Sequence, residues 1–264
     1  MDKKNIILGL DISTACIGIS IVEDDGENRP VIREITHIAP KIKKGIEGIE
    51  ALILRKNIFE EEFLSKIKGL GITECVIESP LCYATGNSNA DTVTRLLQFN
   101  GIVSEAVYRV LGVVPQYMSS YEARMYAFPT LLAIRRVDKK GEFYKPSHYV
   151  KAAKDGKLVL FGEYAFDCDK KAVMMDKVSE MYPDIEWALD KKGNIRKENF
   201  DACDSMVCVL AYINRKRHGS LDDVNVTEHA FDEEKKILSY TTEIWGDKYE
   251  RKIEISDNKN VTVA

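Results

Sequence analysis

Short apolar, β-rich runs broken by polar turn residues mark the first forty positions. Residues 5–11, 17–22 and 31–38 are short β-rich runs separated by Ser13-Thr14 and by Asp24-Asp25-Gly26, which predicts an antiparallel meander. The pattern then changes. Ile49, Leu52, Ile53, Ile58, Phe59, Phe63 and Ile67 recur at helical spacing among charged positions, predicting one long helix over 46–68 that ends at Gly69 and Gly71. Residues 73–78 return as a buried strand closed by Ser79-Pro80, and 81–90 read as a loop around Gly86. A largely buried helix follows over 91–111, then a short strand over 113–117.

Beyond this point the pattern is less regular. Residues 129–168 carry Pro129, Pro146, Gly141, Gly156, Gly162 and many lysines, and read as an insertion without an assignable fold. Helices resume at 169–182 and 200–217, and 235–245 with 248–255 alternate around Trp245-Gly246-Asp247 as a C-terminal β-hairpin. The expected organisation is one α/β domain over 1–218, interrupted by the insertion at about 129–168, followed by a C-terminal extension over 219–264. Three strands, a helix, a strand, a helix and a strand form a mixed sheet flanked by helices. That order is shared by ribonuclease H-like and actin-like ATPase folds, and periodicity does not separate the two.

Composition narrows the class. With 45% hydrophobic and 30% charged residues, the 264-residue chain has the makings of a sizeable α/β core. No stretch approaches the roughly 18 uninterrupted apolar residues of a membrane span, and Met1-Asp2-Lys3-Lys4 leads straight into a strand-like segment, so a cytoplasmic protein without a membrane partner is expected. The six cysteines form no C-x-x-C pair and sit mostly in apolar segments, which points to neither zinc nor a disulfide framework. A net charge of −4 is mildly unfavourable for binding phosphates, but its distribution is uneven. Residues 119–218 hold 19 Lys+Arg against 15 Asp+Glu, whereas 219–264 hold 6 against 11. Basic clusters such as Lys139-Lys140 and Lys170-Lys171 are therefore candidate phosphate contacts, although each singly reads as a solvated face.

The chemistry is carried by acids in unusual places. Asp11 ends the most apolar strand and Glu78 ends another, where a carboxylate is costly without a partner or a metal. Asp201 and Asp204 stand three apart, so on a helix they share a face about one turn apart. Each has a structural reading as well: Asp11 as the cap of the Ser13-Thr14 turn, and the aspartate pair as an N-terminal acidic cap. As a set, Asp11, Glu78, Asp201 and Asp204 present the oxygen ligands that hold one or two hard divalent ions, the arrangement used to hydrolyse phosphodiesters.

Three ordered blocks give a more specific pointer. Gly9-Leu10-Asp11 with Gly18, then Asn89-Ala90-Asp91 with Leu96, Gln98 and Gly101, then Asp201-Ala202-Cys203-Asp204 together resemble the RuvC-type Holliday junction resolvases, of the ribonuclease H-like superfamily. The resemblance spans roughly 5–23, 73–118 and 169–212. It implies a structure-specific DNA endonuclease, a homodimer cutting opposed strands of a four-way junction or other branched DNA with Mg²⁺ or Mn²⁺, two ions per active site. It also implies an aromatic probing the junction centre, for which Tyr83 is available, and basic residues near the scissile phosphate, for which Arg124, Lys170 and Lys171 are the nearest candidates. Asn89, Lys139 and Lys140 complete the candidate DNA contacts. The chain departs from the family in carrying Ile12-Ser13 where Pro-Gly is usual, in a longer loop between Glu78 and Asn89, and in its two additions.

Two other readings compete. An actin-like ATPase or sugar kinase begins with a similar strand but needs a second Gly-rich phosphate loop, and this chain has no Gly-Gly pair. A catalytically silent DNA-binding module of the same fold has no physical reason to keep four mutually repelling carboxylates. Nucleophilic catalysis by Cys75 or Cys82 with His37 is weaker still, since no spacing joins them.

Overall fold

The most apolar run of the sequence becomes the central strand, β1 (Asn5–Ile12), buried on both faces as a strand flanked by helices must be. β2 (Ile17–Asp24) pairs with it antiparallel, placing Gly18 opposite Asp11, and β3 (Val31–Ile38) pairs antiparallel with β2. On its other edge β4 (Glu74–Glu78) runs parallel, with Ile77 opposite Leu10, and β5 (Gln116–Met118) runs parallel to β4. The five-stranded order β3-β2-β1-β4-β5 is the mixed, helix-flanked sheet expected of a ribonuclease H-like fold.

The computed structural model describes residues 4–80, 89–136, 158–162, 169–221, 225–231, 237–255 and 261–263. They group into two units: one built from the chain up to Ala127 together with Met174–Arg217, the other from Phe128–Val173 and the chain from His218 on. The five-stranded sheet belongs to the first.

Strand alternation divides that sheet into two faces. On one, Leu8, Leu10 and Ile12 of β1, Ile17, Ile19 and Ile21 of β2, and Cys75 and Ile77 of β4 pack against α1 (Gly48–Phe59) and α3 (Ala90–Leu111). The helix expected over 46–68 runs unbroken from Gly48 to Leu70 but is not α-helical throughout. After α1 come a π-helical turn (Glu60–Leu64), the single turn α2 (Ser65–Ile67) and a 3-10 turn (Lys68–Leu70), closed by Gly71 at φ 71°. The reason is packing: Phe59, Phe63 and Leu64 are all buried, and the wider turn keeps a residue five positions on over the same face.

A clamp holds this region to α3. Arg109 donates to both Glu60 oxygens at 2.9 and 2.7 Å, and Lys56 adds a bond at 3.2 Å. Together, chiefly through Arg109, they hold the Glu60 carboxyl down at about 2, against an ordinary 4.5. A depressed carboxyl stabilises the fold above its ordinary value and loses that contribution as pH falls through its folded one. The melting temperature of Glu60→Gln should therefore lie below that of the unaltered protein at neutral pH, and the gap should close between pH 4.5 and about 2. A gap that is constant across this window would refute the clamp.

The other face of the sheet receives α6 (Glu198–His218), buried over most of its length and antiparallel to β1. Its closeness is set by two glycines. A Cβ on Gly18 would lie 2.0 Å from the Asp201 carbonyl oxygen, and one on Gly9 would lie 2.5 Å from that of Ser205. At the far end Lys216 bonds Glu74 at 2.7 Å, the Tyr212 hydroxyl donates to the same carboxylate, and Arg217 pairs with Asp24.

The expected strand over 113–117 begins later, at Gln116, because Gly112 caps α3 in the left-handed region at φ 74° and the chain needs the next three residues to turn. An unexpected helix follows, α4 (Ser120–Ala127). Its signal is a capping box: the Ser119 hydroxyl accepts from the Glu122 amide at 3.2 Å, and the Ser119 amide donates to the Glu122 carboxylate at 3.1 Å.

In the second unit, β6 (Leu132–Arg136) and β7 (Leu158–Gly162) pair antiparallel within the segment read as an insertion. α5 (Lys170–Met181) begins in this unit. β8 (Asn225–Phe231), β9 (Ile237–Ile244), β10 (Asp247–Ile255) and β11 (Val261–Val263) form a four-stranded sheet ordered β11-β10-β9-β8. The expected hairpin is its β9–β10 pair, turned by Trp245 and Gly246, both at positive φ as a two-residue hairpin loop requires. Among the described residues no helix is long and apolar enough to cross a membrane.

Candidate metal centre

Parity and register converge on one place. On β1 the residues facing α6 are Ile7, Gly9 and Asp11, the alternates of the core set Leu8, Leu10 and Ile12. On β4, Ile77 belongs to the core side, so Glu78 faces α6 as well. Because Leu10 lies opposite Ile77 in a parallel pair, the next residues of the two strands, Asp11 and Glu78, end side by side. α6 supplies the third group. Its backbone is pressed against Gly18 at Asp201, and one turn later Asp204 reaches the same spot, only 4% exposed.

The outcome is a triad: one carboxylate oxygen from each of Asp11, Glu78 and Asp204, all within 4.8 Å of one another. Three carboxylates at this spacing repel unless a cation or a shared proton compensates them. An all-oxygen, anionic donor set suits a hard divalent ion such as Mg²⁺ or Mn²⁺, so the residues present fit the metal that the sequence implies.

Asp201, the fourth carboxylate of the sequence reading, stands outside this triad. It accepts a hydrogen bond from the buried Cys16 thiol, which is pushed up to about 12 by burial first and then by Asp201, with smaller contributions from Glu198 and Asp11. The helical spacing placed both aspartates on one face, but the close seat of α6 on Gly18 directs only the second into the triad.

The field of the triad is felt behind it. Cys208, fully buried on α6, is held well above its ordinary range by burial and then by Glu78, Asp11 and Asp204, while Arg124 opposes them. Arg124, on α4, is thus a positive charge within electrostatic reach of the same thiol as the three carboxylates. The remaining candidates fare differently. Asn89 is the N-cap of α3, its oxygen accepting from the Thr92 amide at 2.8 Å and hydroxyl at 2.9 Å, so that oxygen is already engaged. Lys170 and Lys171 open α5, whose first turn is capped by Asp169. Tyr83, Lys139 and Lys140 lie outside the described residues.

No family model matches the chain, and no curated protein matches it. Solved structures do resemble it. RuvC of Thermus thermophilus aligns at TM-score 0.48 and 12% identity, covering 81% of this chain and 96% of that one. T. thermophilus RuvC in complex with Holliday junction substrate aligns at TM-score 0.48 and 10% identity, with the same coverage. The yeast mitochondrial Holliday junction resolvase Ydc2 aligns at TM-score 0.47 and 11% identity, covering 80% of this chain and 78% of that one.

Proposed function

We propose that this chain is a divalent-metal-dependent endonuclease that hydrolyses phosphodiester bonds in branched DNA, with the four-way junction of DNA recombination and repair as its principal substrate. The observation that carries the reading is the convergence of Asp11, Glu78 and Asp204 from three separate elements to within 4.8 Å. Asp11, Glu78 and Asp204 would hold the first ion, and Asp201, one turn before Asp204, would be the carboxylate left for a second. The bound metal supplies Lewis-acid activation of water and stabilises the leaving oxygen. The chain's own part is to hold these ligands on rigid strand ends and to bring the Arg124 guanidinium to the charge that develops on the phosphorus oxygens. Tyr83, Lys139, Lys140, Lys170 and Lys171 are proposed contacts to the DNA, supported by residue type and the basic balance of the middle of the chain.

Incubation of the protein with labelled four-way junction, linear duplex and flap, with and without Mg²⁺ or Mn²⁺, tests the reading. Metal-dependent nicks in the junction are expected, with affinity falling steeply with salt as phosphate contacts displace counterions. Nucleotide hydrolysis without DNA cleavage would move the chain to the kinase reading. Metal-independent binding alone would make it a silent module.

Symmetric cutting requires a homodimer, and α3 carries a surface suited to one. Val93, Phe99, Val103, Ala106 and Val107 face inward, yet Leu97 and Tyr108 are 40% and 56% exposed on a stripe that also contains Gly101 and Ser104. Tyr117, bonded to Ser104 at 2.6 Å, and exposed Val114 extend it. Light scattering should give a dimeric mass at micromolar concentration and a monomeric one for Leu97→Glu/Tyr108→Glu. A monomeric mass for the unaltered protein removes the paired-nick mechanism.

A further inference from the structure

At the carboxyl end of β1 lies a cleft of about 530 Å³ that holds none of the triad carboxylates. One wall is the β1–β2 turn, with Ser13 only two positions beyond Asp11. The others are the entry and second turn of α1, through Gly48 and Arg55, and the first turns of α3, through Thr92 and Arg95. The floor is apolar, made by buried Ala51 and Leu52 with half-buried Leu96.

We infer that this cleft binds the nucleotide adjoining the scissile phosphate, with its sugar and base on the apolar floor and its flanking phosphate on Arg95; this rests on the nuclease reading. The volume lies in the range of small-ligand sites, and an apolar floor with a few charged groups at the rim is what a nucleotide unit requires. The two arginines play different parts. Arg55 donates to the Thr14 carbonyl and so fixes the wall of the turn. Arg95 is half exposed, and its bond to Asp91, at 3.0 Å, joins two solvated side chains on neighbouring turns. Such a pair contributes little, so the guanidinium exchanges Asp91 for a phosphate at small cost, and the fork geometry of arginine matches the phosphate oxygens. The lining carries two cations, Arg55 and Arg95, against the two carboxylates Glu47 and Asp91, and with Arg55 engaged on the turn it is Arg95 that can meet a phosphate. The strand that presents its phosphate to Asp11 would meet the Arg95 guanidinium at the phosphate of the next nucleotide.

The test uses the full chain and junctions in which single phosphates on either side of the cut are replaced, one at a time, by neutral methylphosphonate. Binding is read without divalent metal, and cleavage with Mg²⁺ or Mn²⁺. Arg95→Ala should weaken binding to the native junction roughly ten-fold, and Arg95→Lys should recover part of it. One flanking methylphosphonate should weaken the unaltered protein by a similar factor and Arg95→Ala no further. Unchanged affinity in Arg95→Ala, or losses that add at every position, would overturn the inference; if the unaltered protein cleaves in the same experiment, the nuclease reading stands. Absence of cleavage by the unaltered protein with either metal removes that reading, and this inference with it.

Discussion

Asp204→Asn is expected to lower metal-dependent strand cleavage by on the order of 10³-fold while leaving the protein folded. The group is 4% exposed and shares a 4.8 Å neighbourhood with Asp11 and Glu78, so the amide removes one ligand charge from the ion without removing volume. Without metal, three mutually repelling carboxylates become two, which predicts an unchanged or higher melting temperature and equal or tighter junction binding, because less negative charge faces the phosphates. Asp11→Asn and Glu78→Gln should behave alike. Asp201→Asn should lose less, since its carboxylate is turned to Cys16 rather than into the triad. Cleavage rates on a labelled junction and Mn²⁺ titration calorimetry measure both effects. Full activity in Asp204→Asn would sink the metal assignment, and equal losses in Asp201→Asn and Asp204→Asn would mean that a second ion held by Asp201 is as necessary as the one held by the triad.

Gly18→Ala is expected to destabilise the fold by about 3 kcal/mol, the upper range for overpacking, and to weaken metal binding with it. The added Cβ would stand 2.0 Å from the Asp201 carbonyl oxygen and 2.1 Å from its carbon. Both are backbone atoms, so no side-chain rotation relieves the clash and α6 itself must lift from the sheet. Asp204 is one helical turn away and would move with it. Denaturant unfolding gives the first effect and Mn²⁺ affinity the second. Gly101, on the exposed side of α3, provides the contrast: a Cβ there meets nothing within 4 Å of its own chain, and in the monomeric Leu97→Glu/Tyr108→Glu background Gly101→Ala should gain up to about 1 kcal/mol of helix stability. A Gly18→Ala protein as stable as the parent would mean that α6 does not sit on the sheet as described.

The strands and the acids at their ends were legible because both signals are local. β1, β2 and β3 follow from short β-rich runs bounded by turn residues, and a carboxylate closing an apolar run, as Asp11 and Glu78 do, is anomalous without any knowledge of its neighbours. The i, i+3 pair Asp201 and Asp204 was equally plain. Other features were present in the sequence but weaker: the Ser119 to Glu122 box that opens α4 spans four residues, too few for periodicity to register.

What tertiary structure decided were relations between distant residues. Periodicity spreads helical residues over a face of fixed width, so it could not tell that Asp204 enters the triad while Asp201 turns to Cys16; that depends on how closely α6 approaches, which Gly18 sets from 183 positions away. The π turn at Glu60–Leu64 likewise answers to the demand that Phe59, Phe63 and Leu64 all be buried, a requirement of the core rather than of the segment. The cleft gathers Ser13, Arg55 and Arg95 from three elements that no spacing connects. Sequence alone therefore determined which residues have chemistry to offer, because propensity and hydrophobic period act over a few neighbours. Only close packing of strands and helices, which acts between residues far apart in the chain, decided which of them meet.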